Sequence, residues 1–333
     1  MNADPAIPSL RRRGFLQTVA FALAATPAIG ALAVDAFPSK TIKILVGYSA
    51  GGAVDAVARA LGQQMSSVLG QPVIIENKPG AGTNIAVKAL TTSAPDGYTL
   101  LLAANALAAN PALYKPAPFD LAHDFTPIAQ VGRVPVVFAV RDDAKIKTLQ
   151  ELVAAAKVRP GGISVATPGN GSTPHLAMEL FQHTAGISMR HVPYKGGAQA
   201  LTDVVGGHVD VLAINALEAL PLTQSGKLRA LAVMSAERSG VLPGVPTVAE
   251  SGFPGFEASV WYALVGPANL PAPVAQALYA AAQKAIASPQ VRDLLAAAGG
   301  SSSPGSMEQA QKLIASEATR YAKIIQEAGI QPD

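Results

Sequence analysis

The sequence contains no cysteine, which excludes disulfide scaffolds, cysteine-ligated zinc, thiol catalysis and a lipidated cysteine anchor. Charge is also scarce. Asp, Glu, Lys and Arg make up 14% of the 333 residues, against roughly 25% in ordinary globular chains. A net charge of +3 without an extended Lys/Arg-rich run removes the electrostatic footprint of a nucleic-acid partner. Aromatics reach only 5%, whereas hydrophobic residues reach 50%, too many for a disordered chain. The length suggests about two domains.

The first 36 residues read as an export signal. Arg11-Arg12-Arg13-Gly14-Phe15-Leu16 opens an apolar stretch that runs to Ala33 and ends in small residues. A charged start, an apolar middle and an A-x-A end (Ala31-Leu32-Ala33) describe a secretory signal peptide. Arg12-Arg13 followed by Phe15-Leu16 also fits a twin-arginine signal, and the residues leave both export routes open. Cleavage after Ala33 or after Ala36 satisfies the pattern. Residues 1–33 carry three Arg and one Asp, so their removal lowers the net charge to +1. Pro27 and Gly30 interrupt the run, and no later segment reaches the ~18 apolar residues of a membrane span. The expected product is a nearly neutral periplasmic protein.

From Thr41 onward one unit recurs: a short β-rich run, a Gly or Asn turn, and an amphipathic helix. Ile42–Val46, Val73–Glu76, Thr99–Ala103, Ile163–Ala166, His191–Pro193 and Val211–Ile214 are the expected strands. Helices follow over Ala53–Leu69, from Ile85, over His175–Ala185 and up to Val205, whereas Thr99–Ala103 leads into a short irregular stretch ending near Tyr114. Alternation of this kind predicts an α/β fold with mostly parallel sheets flanked by helices. Val131–Val140 and Phe256–Val265 read as two strands that carry the chain between domains. That gives a discontinuous first domain, residues 37–136 plus 257–333, and a second domain, residues 137–256. The last helix, Met307–Ala328, must pack back on the first domain.

In open parallel sheets, ligands bind beyond the carboxyl ends of the strands. Those ends are rich in Gly, Ser, Thr and Asn here. Residues 48–53 and 168–174 each place small residues before a helix, where free backbone N–H groups and the helix dipole attract an anion. Either loop alone also reads as a tight strand-to-helix turn. Tyr48, Ser49, Ala50, Gly51, Gly52, Asn170, Ser172 and Thr173 are therefore candidate ligand contacts. Asp55, in the first helical turn, either complements the dipole or orients a water or ligand hydroxyl. His175 faces solvent or donates into the crevice. Tyr194, in the loop after His191–Pro193, is a further candidate contact, and Asn215 ends a strand and should face the cleft, whereas Asp210 begins one and should be structural.

Gly47-Tyr48-Ser49-Ala50-Gly51 matches the G-x-S-x-G nucleophile elbow, which makes an α/β-hydrolase-type serine esterase the rival reading. The elbow would, however, fall on the first mature strand, and every His from His175 to His208 lies in the other domain. Neither a P-loop nor an H-E-x-x-H motif occurs, and Gly80-Ala81-Gly82 lacks the third glycine of a dinucleotide fingerprint. No catalytic residue, metal site or cofactor is expected.

The chain resembles the Bug family of periplasmic solute-binding receptors, associated with tripartite tricarboxylate transporters. The likeness runs from Phe37 to the C-terminus. It is carried by Gly70-Gln71-Pro72-Val73, Glu76–Gly82, Ala94–Leu100, Ser172–Leu176, His191–Gly196, Gly226–Val233 and Pro246–Gly252. This resemblance implies a two-lobed Venus-flytrap fold that closes on a small carboxylate, partly through bridging waters. Residues 48–55 and 170–175 would hold the carboxylate, while Thr83, Asn84, Asn105 and Asn215 would select the rest of the ligand. It also implies a monomer that serves a membrane permease or docks on a sensor protein. The sequence departs from the family's usual first loop by carrying Ala50 at a proline position and Val54 at a hydroxyl position. Val54 thereby removes one partner for a water or ligand.

Overall fold

The computed structural model describes residues 37–332 together with Met1 and Ala3. The rest of the expected export signal lies outside the described residues. In chain order, β1 (Ile42–Val46) is followed by α1 (Ala53–Leu69), β2 (Val73–Asn77), a 3-10 turn (Ala81–Thr83), α2 (Asn84–Thr91), β3 (Thr99–Ala103) and α3 (Ala106–Leu113). The long β4 (Phe125–Arg141) leads to α4 (Leu149–Val158), β5 (Ser164–Thr167), α5 (Thr173–Ala185), β6 (Arg190–Pro193) and α6 (Gly197–Val205). Then come β7 (Val211–Asn215), α7 (Ala216–Gln224) and β8 (Leu228–Val233). The remainder is β9 (Ser259–Pro267), α8 (Ala272–Ile286), α9 (Pro289–Ala296), the short β10 (Ser301–Ser302) and α10 (Met307–Glu327).

The strands form a continuous path, β2-β1-β3-β9-β4-β7-β5-β6, with β8 and β10 also paired to β4. The outer strands are parallel: β1 with β2 and β3, and β5 with β6 and β7. The crossing strands β4 and β9 run antiparallel to their neighbours. One strand serves both halves of the sheet. Residues 125–135 of β4 pair with β9, whereas residues 136–141 pair with β7 and β8. Pro135 stands at the changeover, where the lack of a proline N–H costs least because the ladder is changing partners. The changeover is also tied by Met234 N–H donating to Val136 O at 2.8 Å and by Ala258 N–H donating to Met234 O at 2.7 Å.

Local sequence explains the elements. Residues Val134 and Val136–Val140 are buried on both faces, which is why that part of β4 reads as an unbroken apolar run. α1 buries Ala53, Val54, Val57, Ala58, Leu61 and Met65, a helical stripe. It stops at Gly70, whose φ of 67° is left-handed and whose N–H closes on Ser66 O. α10 begins with a capping box between Ser306 and Gln309.

The stretch after β3, expected to be irregular, is instead the helix α3 with Pro111 inside. Proline removes one helical hydrogen bond there, but the helix is buried against α10, and packing outweighs propensity. α10 docks on α3 and β4. Asn105 staples this dock. Its Nδ2 donates to Tyr321 Oη (2.7 Å) and Ser259 O (3.2 Å), and its Oδ1 accepts from Trp261 N–H (3.0 Å). Trp261 Nε1 donates to Glu317 on α10 at 3.2 Å.

Asn105→Ala should therefore cost about 3 kcal/mol in unfolding free energy, because it strands the Trp261 N–H in the core and removes one partner of the Tyr321 hydroxyl. Tyr321→Phe should cost about 1 kcal/mol. Urea denaturation with unchanged m-values checks both, and equal, negligible losses would remove Asn105 as the staple.

Candidate functional site

The loops that leave the carboxyl ends of β1, β2, β3, β5, β6 and β7 meet in one cleft. Its outer part is a cavity of 430 Å³ lined by Tyr48, Thr83, Tyr114, Asn170, Tyr194 and Lys195, among others. Its inner part is a recess of 20 Å³ lined by Ala53, Val54, Thr173, Asn215, Glu218 and Val260, among others. Tyr48 and Pro168 line both, so the recess is the floor of the same cleft. The recess has room for about one water.

The loop after β1 makes the first crossing contact. Both the N–H and the hydroxyl of Ser49 donate to Lys195 O, at 2.9 and 3.0 Å, joining the β1 loop to the β6 loop. A carbonyl cannot accept the serine's proton, so this geometry gives Ser49 no general base. Gly51 N–H donates to Asp55 at 2.9 Å. Asp55 also takes two bonds from Arg59, both at 2.9 Å, and one from Asn77 at 3.0 Å. Burial would raise the Asp55 pKa, but bonds from Arg59, Gly51 and Asn77 together with the Arg59 charge hold it below the ordinary carboxylate value. Asp55 is thus tied to α1 and β2.

The loop after β5 is also self-satisfied. Ser172 caps α5 through its hydroxyl, which bonds Gly169 O at 2.6 Å and receives His175 N–H at 3.4 Å. Gly171 N–H donates to His175 Nδ1 at 3.2 Å. His175 does not face solvent, which corrects one of the two sequence readings. It is 2% exposed and stacks on His191 at 4.1 Å. Burial, then the neighbouring His191, lowers its pKa well below the ordinary value, so the ring stays neutral.

The anion-site expectation changes accordingly. The N–H groups of Ser49, Gly51, Gly171 and Ser172 are used inside the protein, because each loop closes on its own helix or on the opposite loop. Asn105 is likewise spent in the core. Asn84 accepts from Asn110 Nδ2 at 2.7 Å, which anchors α2 beside the cleft. Thr83 is packed against Gly47, with a φ of 78°. Tyr194 lines the outer cavity while its hydroxyl donates to Asp203 at 2.5 Å, and burial followed by Asp203 raises its pKa to about 12. Tyr48 is raised too, by burial first and then by the charge of Glu218. Ala50 stays exposed at the loop tip, Gly52 reaches the recess, and Val54 presents an isopropyl group there.

Sequence reasoning missed Glu218. It sits in the first turn of α7, three residues after Asn215, so N-x-x-E reads as an ordinary capping box. The side chain reaches instead across the cleft, and Oε1 accepts the Ala53 N–H of α1 at 2.5 Å. A Cβ at Gly197 would overlap Oε2, so only glycine at the start of α6 lets the carboxylate lie there. Burial raises the Glu218 pKa from 4.5 to about 7, against smaller lowering by Ala53 and Asn215.

Comparison with known proteins places these features in context. Residues 57–330 match the family described as Tripartite tricarboxylate transporter family receptor. The protein BugT of Bordetella pertussis is 37% identical over 308 residues, spanning 92% of this chain and 94% of that protein. The structure of the periplasmic binding protein BugD superposes with a TM-score of 0.86 at 31% identity, covering 89% of this chain and 100% of that one. R. palustris Rpa4515, solved with adipate, gives a TM-score of 0.85 at 31% identity, with coverage of 89% and 100%.

The raised Glu218 pKa links stability to pH. The native state holds the proton more tightly than the unfolded chain, so stability is full below pH 4.5 and is lost as pH rises through about 7. Between about pH 4.5 and about pH 8, Glu218→Gln should gain about 3 kcal/mol on wild type. Titration of His175, which runs the other way, cancels in this difference. Chemical denaturation of both proteins across pH checks it, and a flat difference would show that the carboxyl is not desolvated.

Proposed function

The chain belongs to the tripartite tricarboxylate transporter receptor family, and from that premise we propose that it captures a small carboxylate between its lobes for a membrane permease. It is a solute-binding receptor with the two-lobed fold of periplasmic binding proteins. The observation that carries the finer reading is the convergence of six strand-end loops, three from each sheet, on one cleft. The adipate held by Rpa4515 supports a carboxylate as the solute class.

The lobes are residues 37–136 plus 257–333 and residues 137–256. The hinge lies where β4 changes partners at Pro135 and where the chain returns at Ala258. Tyr48, Ala50, Gly52, Thr83, Asn170, Thr173 and Tyr194 contact the ligand and its waters. Asp55, Asn84, Asn105, Ser172 and His175 hold the loops in place. Export to the periplasm with removal of the signal after Ala33 or Ala36, action as a monomer and delivery to a permease complete the reading.

A thermal-shift panel of mono-, di- and tricarboxylates tests it. A ligand at 100 times its Kd should stabilise by about 2.7 kcal/mol, a rise of several degrees in a chain of this size. Ser49→Ala should leave any background ester hydrolysis unchanged. Ester turnover that disappears in Ser49→Ala, with no carboxylate shifting the midpoint, would overturn the receptor reading in favour of a hydrolase.

A further inference from the structure

The inner recess is rich in acceptors. Glu218 Oε2 and Asn215 Oδ1 are buried there without a hydrogen-bond partner, and Asn215 is 4% exposed. Outside the lining of the recess, the Tyr262 hydroxyl, a donor as well as an acceptor, also lacks a partner, and burial followed by the Glu218 charge raises its pKa. What acts on the Glu218 carboxyl is burial, the Ala53 N–H and Asn215, and no cation is among these influences. Buried acceptors left unmet are costly, and a buried carboxylate more so. The arrangement is completed by a group that donates.

Glu218 also stands where a ligand carboxylate would otherwise go. It accepts the first N–H of α1 and lies against the first residue of α6, two helix ends whose dipoles favour negative charge. A second carboxylate driven into the recess would meet the first at close range. The outer cavity has the opposite character, because the cation lining it is Lys195. The cleft is thus polarised, acidic at its floor and basic at its mouth.

We propose that Glu218 is the specificity-determining residue of the cleft, selecting a ligand with an ammonium group at the floor and a single carboxylate toward Lys195 and Asn170. The ligand class is then amino-carboxylates, in preference to dicarboxylates. This rests on the receptor reading above and narrows it. The ammonium supplies donors to Glu218 Oε2 and Asn215 Oδ1 and neutralises the buried charge. At neutral pH Glu218 is close to half protonated, and an ammonium partner draws it to the charged form.

The test is calorimetric titration of purified wild type, Glu218→Gln and Glu218→Ala with matched pairs, adipate against ε-aminocaproate and glutarate against δ-aminovalerate. Each pair differs only in exchanging one carboxylate for an aminomethyl group. The wider carboxylate panel is run beside them. Wild type should prefer the amine-bearing member by roughly tenfold or more. Glu218→Gln, which keeps an acceptor for Ala53, should lose that preference or reverse it. Glu218→Ala should do the same, with folding of both variants checked by their thermal midpoints. Carboxylate binding with no amine preference, or with a preference that neither variant moves, overturns this inference and leaves the receptor reading intact. Failure of every carboxylate, amine-bearing ones included, to bind any of the three proteins overturns the receptor reading, and this inference with it.

Discussion

The antiparallel ladder between β4 and β9 is the constraint on which the rest of the molecule depends. Parallel strands need helical crossovers, so each lobe can grow outward from this ladder but cannot be closed without it. The two strands bring the chain through the centre once in each direction. They fix the sheet edge at which β1, β2 and β3 end on one side and β5, β6 and β7 end on the other. The cleft therefore exists because of connectivity, before any side chain in it is specified. With no cysteine available, this ladder and the apolar clusters beside it carry the whole load.

Charge within the cleft is governed by helix ends more than by basic side chains. α1, α5 and α6 all begin at the cleft, and each start is answered by a different device. α5 is closed by its own Ser172, α1 receives Glu218 from α7, and α6 opens with Gly197 so that the same carboxylate can approach. A low content of charged residues is what makes this economical. Few ions compete, and a single buried carboxylate decides the polarity of the floor.

Much of this was legible in the sequence. The crossing strands stood out at Val131–Val140 and Phe256–Val265 because their inner stretches, Val134–Val140 and Val260–Val265, are buried throughout and show no alternation. The strand-end loops were recognisable because Gly, Ser and Asn cluster where strands give way to helices. α3 was hidden because Pro111 breaks the helical rule and only burial under α10 restores it. The burial of His175 was not legible because position within a helix turn does not reveal that His191, on another strand, stacks over it. Glu218 was invisible for a different reason. Its spacing from Asn215 fits a local cap, and nothing local shows that the side chain reaches another helix 165 residues away in sequence.

The dock of α10 on the crossing strand has an optical consequence. Trp261 is the sole indole in the chain, 2% exposed, and its Nε1 is held by Glu317. Its emission is therefore a single-site signal that no second fluorophore of its kind dilutes. Separation of the C-terminal helix from β9 would wet that ring and shift the entire band to the red. Rearrangement confined to the strand-end loops would leave it blue, so the molecule distinguishes by colour between loss of its frame and movement within it.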